Sequence, residues 1–183
     1  SYHGVVYTDA LGPAAFIGRC RVVPLRNTGA ALAPFNAFLI MQGLETLALR
    51  MERHCENANK VADFLASHPK VTKVIHPSKQ DGESRRRADS YLKGGYGSLM
   101  GFELAGGKDA GEKFINALEL FYHVANIGDT RSLAIHPATT THSQLSEQDR
   151  LSSGVTDGYV RLSIGIEHID DILADLTQAL DKA

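Results

Sequence analysis

The chain has 183 residues, 43% of them hydrophobic and 22% charged, with a formal charge of -2. That is ordinary for a globular chain, and long enough for one domain with a real core or a small domain plus an appendage. The charge balance argues against a nucleic-acid partner, which asks for clustered Lys and Arg, and no apolar run approaches the roughly 20 residues of a membrane helix.

Residues 1–33 are rich in Gly, Ala and Pro, with one short apolar run at Arg21-Val22-Val23-Pro24-Leu25. Too few apolar positions recur there to close a core. The start, Ser1-Tyr2-His3-Gly4, has neither a methionine nor the charged-then-apolar pattern of a secretion signal. Pro34 suits the first turn of a helix, where its missing N–H costs nothing. Apolar residues then recur at Phe38, Leu44, Leu47, Met51, Cys55, Ala58, Ala62 and Leu65, which predicts one long helix to residue 68. Its polar face is expected to carry Glu45, Arg50, Glu52, Arg53, Glu56, Asn57 and Lys60. His68-Pro69 should end it, because the residue before proline avoids helical geometry. A helix of this length commonly joins two domains. Part of the apolar stripe is expected to stay exposed on the chain alone and to drive self-association.

Alternation at Val71–Ile75 and at Leu99–Leu104 predicts short strands, the second followed by a Gly106-Gly107 turn. Between them, Ser78–Ser90 with Arg85-Arg86-Arg87 is expected to be a solvated loop or a first helical turn. Helical spacing recurs at Ala110, Phe114, Ile115, Leu118 and Leu120, and Tyr122–Ile127 is expected as a strand. From Val160 to Ile166 alternation is strict, with the aliphatics on one face and Arg161, Ser163 and Gly165 on the other. A last helix carries Ile169, Ile172, Leu173, Leu176 and Leu180, with Asp170 and Asp171 in its first turn. The expected class is α/β of α+β type: a mixed or antiparallel sheet with helices packed on one face, preceded by the long linker helix.

Chemistry has few candidates. An arginine in mid-strand opposite the core face can clamp a carboxylate bidentately if that face lines a cleft. From spacing alone, an ordinary surface position for Arg161 is the better reading. The loop from Asn126 to Ser132 offers backbone N–H groups to an anion, although a plain turn with Asx hydrogen bonds explains it as well. His136 and His142 lack the partner spacing of a metal site, so no metal is expected. Cys20 and Cys55, far apart, indicate a reduced, cytoplasmic protein rather than a disulfide framework.

Several whole segments carry a resemblance. They are Tyr2-His3-Gly4-Val5-Val6-Tyr7, Asn27–Leu32 running into Pro34–Phe38, Gln42–Leu47 with Arg50–His54, Asn126-Ile127-Gly128-Asp129, His136–His142, and Val160–Glu167. Together they resemble the Cys/Met-metabolism family of fold-type I pyridoxal-phosphate enzymes over essentially the whole chain. Relatives that build or cleave cystathionine typically show Ser-Leu-Gly-Gly at the Asn126 loop. The wording here, with His136-Pro137-Ala138-Thr139-Thr140-Thr141-His142, is more similar to the O-acetylhomoserine sulfhydrylase branch.

The resemblance implies a C-terminal portion of such an enzyme: 1–33 a remnant of the cofactor domain, 34–68 the linker helix, and 69–183 the small C-terminal domain. It assigns Arg161 to the substrate α-carboxylate, which reverses the reading from spacing. Asn126 and the Ile127 N–H assist it, Ser132 supports the loop, and Thr141 lines the same region. A small amino-acid substrate and a homo-oligomeric, tetrameric full-length enzyme follow from the same likeness. None of Lys60, Lys70, Lys73, Lys79, Lys93, Lys108, Lys113 and Lys182 has the context of the family's Schiff-base lysine. Pyridoxal phosphate is therefore expected in the full-length enzyme but not on this chain, which is expected to be inactive alone. A cystathionine γ-synthase or γ-lyase type member, a stand-alone amino-acid-binding module and a structural partner chain of a split enzyme remain as alternatives.

Overall fold

The structure is a computed structural model and describes residues 2–183. The chain divides into two units, Ser1–Glu45 and Thr46–Ala183. The first holds helices α1 (Tyr7–Leu11), α2 (Ala15–Cys20), α3 (Arg26–Thr28) and α4 (Pro34–Glu45), with a helical turn at Arg21–Leu25 between α2 and α3. Among the described residues none of these helices buries a side chain. This unit has no core of its own.

Helix α5 (Leu47–Ser67) opens the second unit. The single helix expected over 34–68 is thus two, with Thr46 at φ −106°, ψ 5° between them. His68, at φ −84°, ψ 129°, ends α5 in extended geometry just before Pro69. There follow β1 (Val71–Ile75), α6 (Gly82–Tyr91), β2 (Leu99–Leu104), α7 (Gly107–Ala117), β3 (Tyr122–His123), β4 (Leu133–Ile135), α8 (Glu147–Ser152), β5 (Tyr159–Ser163) and α9 (Ile169–Lys182). The sheet order is β1-β2-β5-β4-β3. Its pairs are antiparallel except β3 with β4, which makes the sheet mixed, as the α+β reading allows.

One core lies between the sheet and three helices. Met100, Phe102 and Leu104 of β2, Val160 and Leu162 of β5, and Ile164 meet Ala58, Val61, Ala62 and Leu65 of α5, Phe114 and Ile115 of α7, and Ile172, Leu176 and Leu180 of α9. Each of the large aliphatic side chains buried here stabilises the fold by about 1.5–3 kcal/mol. The remaining face of β2 and β5 carries Leu99, Gly101 and Glu103 beside Tyr159, Arg161 and Ser163.

The structure corrects several expectations. Asn57, assigned to the polar face of the helix, is fully buried with His54 on the stripe that also holds Ala58, Val61, Ala62 and Leu65. Phe38, Leu44, Leu47 and Met51 are exposed, in keeping with the expectation that part of the stripe stays uncovered. Residues 82–91 form a whole helix, more than the loop or first helical turn expected, laced by ion pairs of Arg85 with Asp89 and of Arg86 and Arg87 with Glu83. Helix α7 stops at Ala117, short of Leu118 and Leu120. The buried Asp175 carboxylate takes the N–H groups of Glu119, Leu120 and Phe121 at 2.9–3.2 Å, which fixes a turn there. The strand expected over 122–127 ends after His123, and the three-residue strand β4 went unforeseen behind the polar loop.

The exposed apolar side chains of α4, Phe35, Phe38, Leu39, Ile40, Met41 and Leu44, give a first test. The 183-residue chain alone should self-associate with rising concentration in analytical ultracentrifugation. A monomer at every concentration would show that these side chains find cover within one chain.

Candidate functional site

Arg161 lies in the middle of β5, directly opposite Gly101 of β2 and Ile135 of β4. Its neighbours Val160 and Leu162 are fully buried in the core, so the pleat delivers its side chain to the other face, where it is half-exposed. Its guanidinium donates from Nη2 to the backbone carbonyl of Asn126 at 3.3 Å. Among the described residues it forms no ion pair. A half-exposed guanidinium with one neutral acceptor keeps most of its planar fork for an incoming anion.

The loop that meets it is held by local geometry. Asn126 is exposed, and its Oδ1 accepts the Ile127 N–H at 3.0 Å. Gly128 takes a left-handed conformation, φ 78°, and donates its N–H to the Ser163 hydroxyl at 3.1 Å. Asp129 accepts the N–H of Arg131, and the Arg131 guanidinium sits 4.9 Å from the centre of the Tyr122 ring. Arg131 is therefore turned away to an aromatic face while Arg161 faces the loop.

Beneath the loop, Ser132 is fully buried. The Glu167 carboxylate accepts both the Ser132 N–H, at 2.6 Å, and the Ser132 hydroxyl, at 2.9 Å, and the same hydroxyl accepts the Gly165 N–H at 2.9 Å. Helix α5 closes the knot. His54 Nδ1 lies 2.6 Å from the Ile164 carbonyl, and the Asn57 amide donates to the carbonyls of Gly165 at 3.1 Å and Glu167 at 3.0 Å. A Cβ on Gly165 would strike Glu167, the Ser132 amide and the Thr130 carbonyl, so only glycine fits there.

Of the residues singled out from sequence, the structure joins Arg161 to Asn126 by a hydrogen bond and places Ile127 beside it. Ser132 supports the loop from below. Thr141 is exposed and its hydroxyl meets His142 Nδ1 at 2.9 Å; no hydrogen bond joins it to Arg161 or Asn126 among the described residues. Ser163, Glu167, Asn57 and His54 were missed. The signal for the last two was their own spacing, since 54, 57, 58, 61 and 65 continue one helical stripe. His136 is buried between Thr139 Oγ1 at 2.9 Å and the Asp157 carbonyl at 2.7 Å, and the described residues contain no cluster able to hold a metal.

The family model described as Cys/Met metabolism PLP-dependent enzyme matches residues 3–181. This chain belongs to that family. It is 48% identical over 182 residues to homocysteine synthase of Schizosaccharomyces pombe, covering 100% of this chain and 42% of the relative. It is 50% identical over 189 residues to O-acetyl-L-homoserine sulfhydrylase of Leptospira meyeri, covering 98% and 43%. Among solved structures it matches a putative O-acetylhomoserine (thiol)-lyase of Campylobacter jejuni with TM-score 0.85 and 43% identity, over 98% of this chain and 42% of that one. That structure carries a pyridoxyl-lysine monophosphate. The chain thus spans less than half the length of these relatives.

The family depends on pyridoxal phosphate, whose aldehyde needs an enclosed lysine. Here seven lysines are exposed, and the half-buried Lys70 gives its ammonium to the carbonyls of Leu180, Asp181 and Ala183 at 2.9–3.0 Å. Lys60, Lys79 and Lys108 pair with Glu56, Asp63 and Glu112. The residues present do not fit covalent attachment of the cofactor.

On the same sheet face as Arg161, a cleft of about 350 Å³ is lined by Ile75, His76, Leu99, Gly101, Ala88 and Tyr159, among others. Burial pushes the Tyr159 phenol above its ordinary range, while the nearby Arg161 charge pulls it down and Glu103 raises it. Burial likewise holds His76 below the usual imidazole range, against a hydrogen bond to the Gly97 carbonyl that favours the proton.

Two outcomes follow. Ser132→Ala strands the Gly165 N–H and one Glu167 oxygen, and should cost about 1–3 kcal/mol in chemical denaturation; a change under ~0.5 kcal/mol would mean the knot does not hold the loop. His76 is favoured neutral in the fold, so its contribution is complete above the unfolded value of about 6.5 and is lost as pH falls below it. The fall in stability between pH 7 and pH 5 should be shallower in His76→Asn than in the parent; equal slopes would remove His76 from the acid response.

Proposed function

We propose that this chain is the part of an O-acetylhomoserine sulfhydrylase that receives the amino-acid α-carboxylate. The reaction of that enzyme replaces the acetate of O-acetylhomoserine with sulfide and yields homocysteine. The observation that supports this is the Arg161–Asn126 juxtaposition. Thirty-five residues apart in sequence, they meet on the non-core face of the sheet with the guanidinium fork unpaired by any carboxylate among the described residues. In this reading Arg161 binds both carboxylate oxygens, and the Ile127 N–H adds a third donor once Asn126 Oδ1 turns aside. Ser132 holds the loop without touching substrate, and Thr141 borders the same region.

Anchoring the carboxylate orients the substrate's Cα and Cβ toward the reacting centre and removes the rotational freedom that would otherwise oppose reaction. Pyridoxal phosphate supplies the electron sink when bound. In this reading it and its lysine belong to the length of the relatives that this chain does not span, and the chain alone is inactive. The complete enzyme is then a cytoplasmic homo-oligomer, a tetramer, acting on a small amino acid. No helix of the described chain is long and apolar enough to cross a membrane.

The test uses the complete enzyme bearing this sequence. Arg161→Lys should lower kcat/KM for O-acetylhomoserine by about 2–4 kcal/mol while the cofactor absorbance is unchanged, because lysine cannot reproduce a planar fork. Asn126→Ala should act in the same direction by roughly 0.5–1.5 kcal/mol. If Arg161→Lys stays within about twofold of the parent, Arg161 is a surface arginine and the assignment fails.

A further inference from the structure

On the sheet face that carries Arg161, the position directly opposite it on β2 is Gly101 and not a residue with a side chain. That space is filled from the diagonal. Tyr159, two residues before Arg161 on the same strand, lays the far end of its ring over Gly101, where a Cβ would collide with its Cε2, Cζ and hydroxyl atoms. Tyr159 is half-buried, and its own cross-strand partner is Glu103. On the other flank of Arg161, at the paired position of β4, stands Ile135, 2% exposed.

The positions opposite Arg161 are therefore a β-branched side chain on one neighbouring strand and, on the other, a glycine covered by an aromatic ring. Both flanks are stiff. Isoleucine holds one χ1 well strongly, and a tyrosine ring has only two torsions to order. A long side chain loses much rotamer freedom on binding, and stiff neighbours that restrict it beforehand reduce that loss.

We propose that Tyr159 is a positioning residue for Arg161: its ring, seated over Gly101, holds the arginine stem upright so that the guanidinium meets the Asn126 loop. The role belongs to the ring and not to the hydroxyl, for which the structure gives no hydrogen-bond partner among the described residues. Gly101 belongs to the same device, since any side chain there would displace the ring. The inference rests on the carboxylate-binding reading of Arg161 for its functional meaning, but its structural half stands apart from that reading.

The experiment has two arms for that reason. On the 183-residue chain, ¹⁵N relaxation of the Arg161 Nε–H should report a side chain more rigid than the chain's exposed arginines. Tyr159→Ala and Gly101→Ala should both shift it toward their mobility, and Tyr159→Phe should leave it as in the parent. In the complete enzyme, Tyr159→Ala should raise KM for O-acetylhomoserine about five- to tenfold with kcat within about twofold, and Tyr159→Phe should restore parental values. Amide spectra of each variant confirm that the fold is kept, and if Tyr159→Ala unfolds, Gly101→Ala decides: Arg161 relaxation left as in the parent there overturns the proposal. Unchanged Arg161 relaxation in Tyr159→Ala overturns the proposal, as does a Tyr159→Phe variant that behaves like Tyr159→Ala. If relaxation responds as expected but Arg161→Lys leaves kinetics untouched, the carboxylate reading fails while the bracket around Arg161 stands.

Discussion

The geometry of the site depends on one small set of hydrogen bonds, those that join Ser132, Gly165 and Glu167. The sheet alone fixes where Arg161 points, because alternation along β5 leaves no choice once Val160 and Leu162 are in the core. It does not fix where the Asn126 loop lies, since β3 pairs for only two residues before the chain leaves the sheet. The buried Ser132 hydroxyl supplies that constraint by bonding both Glu167 and the Gly165 amide, while Ser163 takes the Gly128 amide from the other side. Buried polar groups of this kind are costly to leave unpaired, so the loop has one low-energy position relative to β5.

Helix α5 extends that constraint into the core. His54 and Asn57 are buried polar residues on an otherwise apolar stripe, and each binds a carbonyl of the segment just beyond β5. The chain there has left the sheet, and without these donors its carbonyls would be buried without partners. Core packing and site geometry are thus coupled: the helix that buries Ala58, Val61 and Leu65 also sets the height of the strand end from which the loop hangs.

Much of this was legible in the sequence, and the misses share a cause. Strict alternation at Val160–Ile166 and the 3.6-residue period of α9 are strong patterns, and β1, β2 and α9 lie where they indicate. Strand β5 stops at Ser163, three residues short of the alternation, because His54 and Asn57 take the Ile164 and Gly165 carbonyls. Arg161 could be placed on its face from alternation, but not distinguished from a surface arginine without the resemblance. Periodicity failed where a side chain overrides it. Asp175, far along the chain, takes three amides that would otherwise continue α7, and Asn57 looks polar although its partners are backbone carbonyls about 110 residues away. Strand β4 is three residues long, too short for a period to register. The break at Thr46 had no signal at all in the apolar spacing, which runs across it.

In the proposed reading, the chain orients the substrate and the bond-making belongs to the length of the relatives that it does not span. On that proposal a further donor to the carboxylate is the Ile127 N–H, which Asn126 Oδ1 accepts at 3.0 Å in this structure. A carboxylate must replace that contact to be held on both sides. The decisive measurement is a crystal structure of the complete enzyme with its amino-acid substrate bound. The account predicts both carboxylate oxygens within about 3 Å of the Arg161 guanidinium, one of them accepting the Ile127 N–H, and Asn126 Oδ1 rotated off that amide. A carboxylate bound elsewhere, with the Asn126–Ile127 contact intact and Arg161 facing solvent, would contradict it.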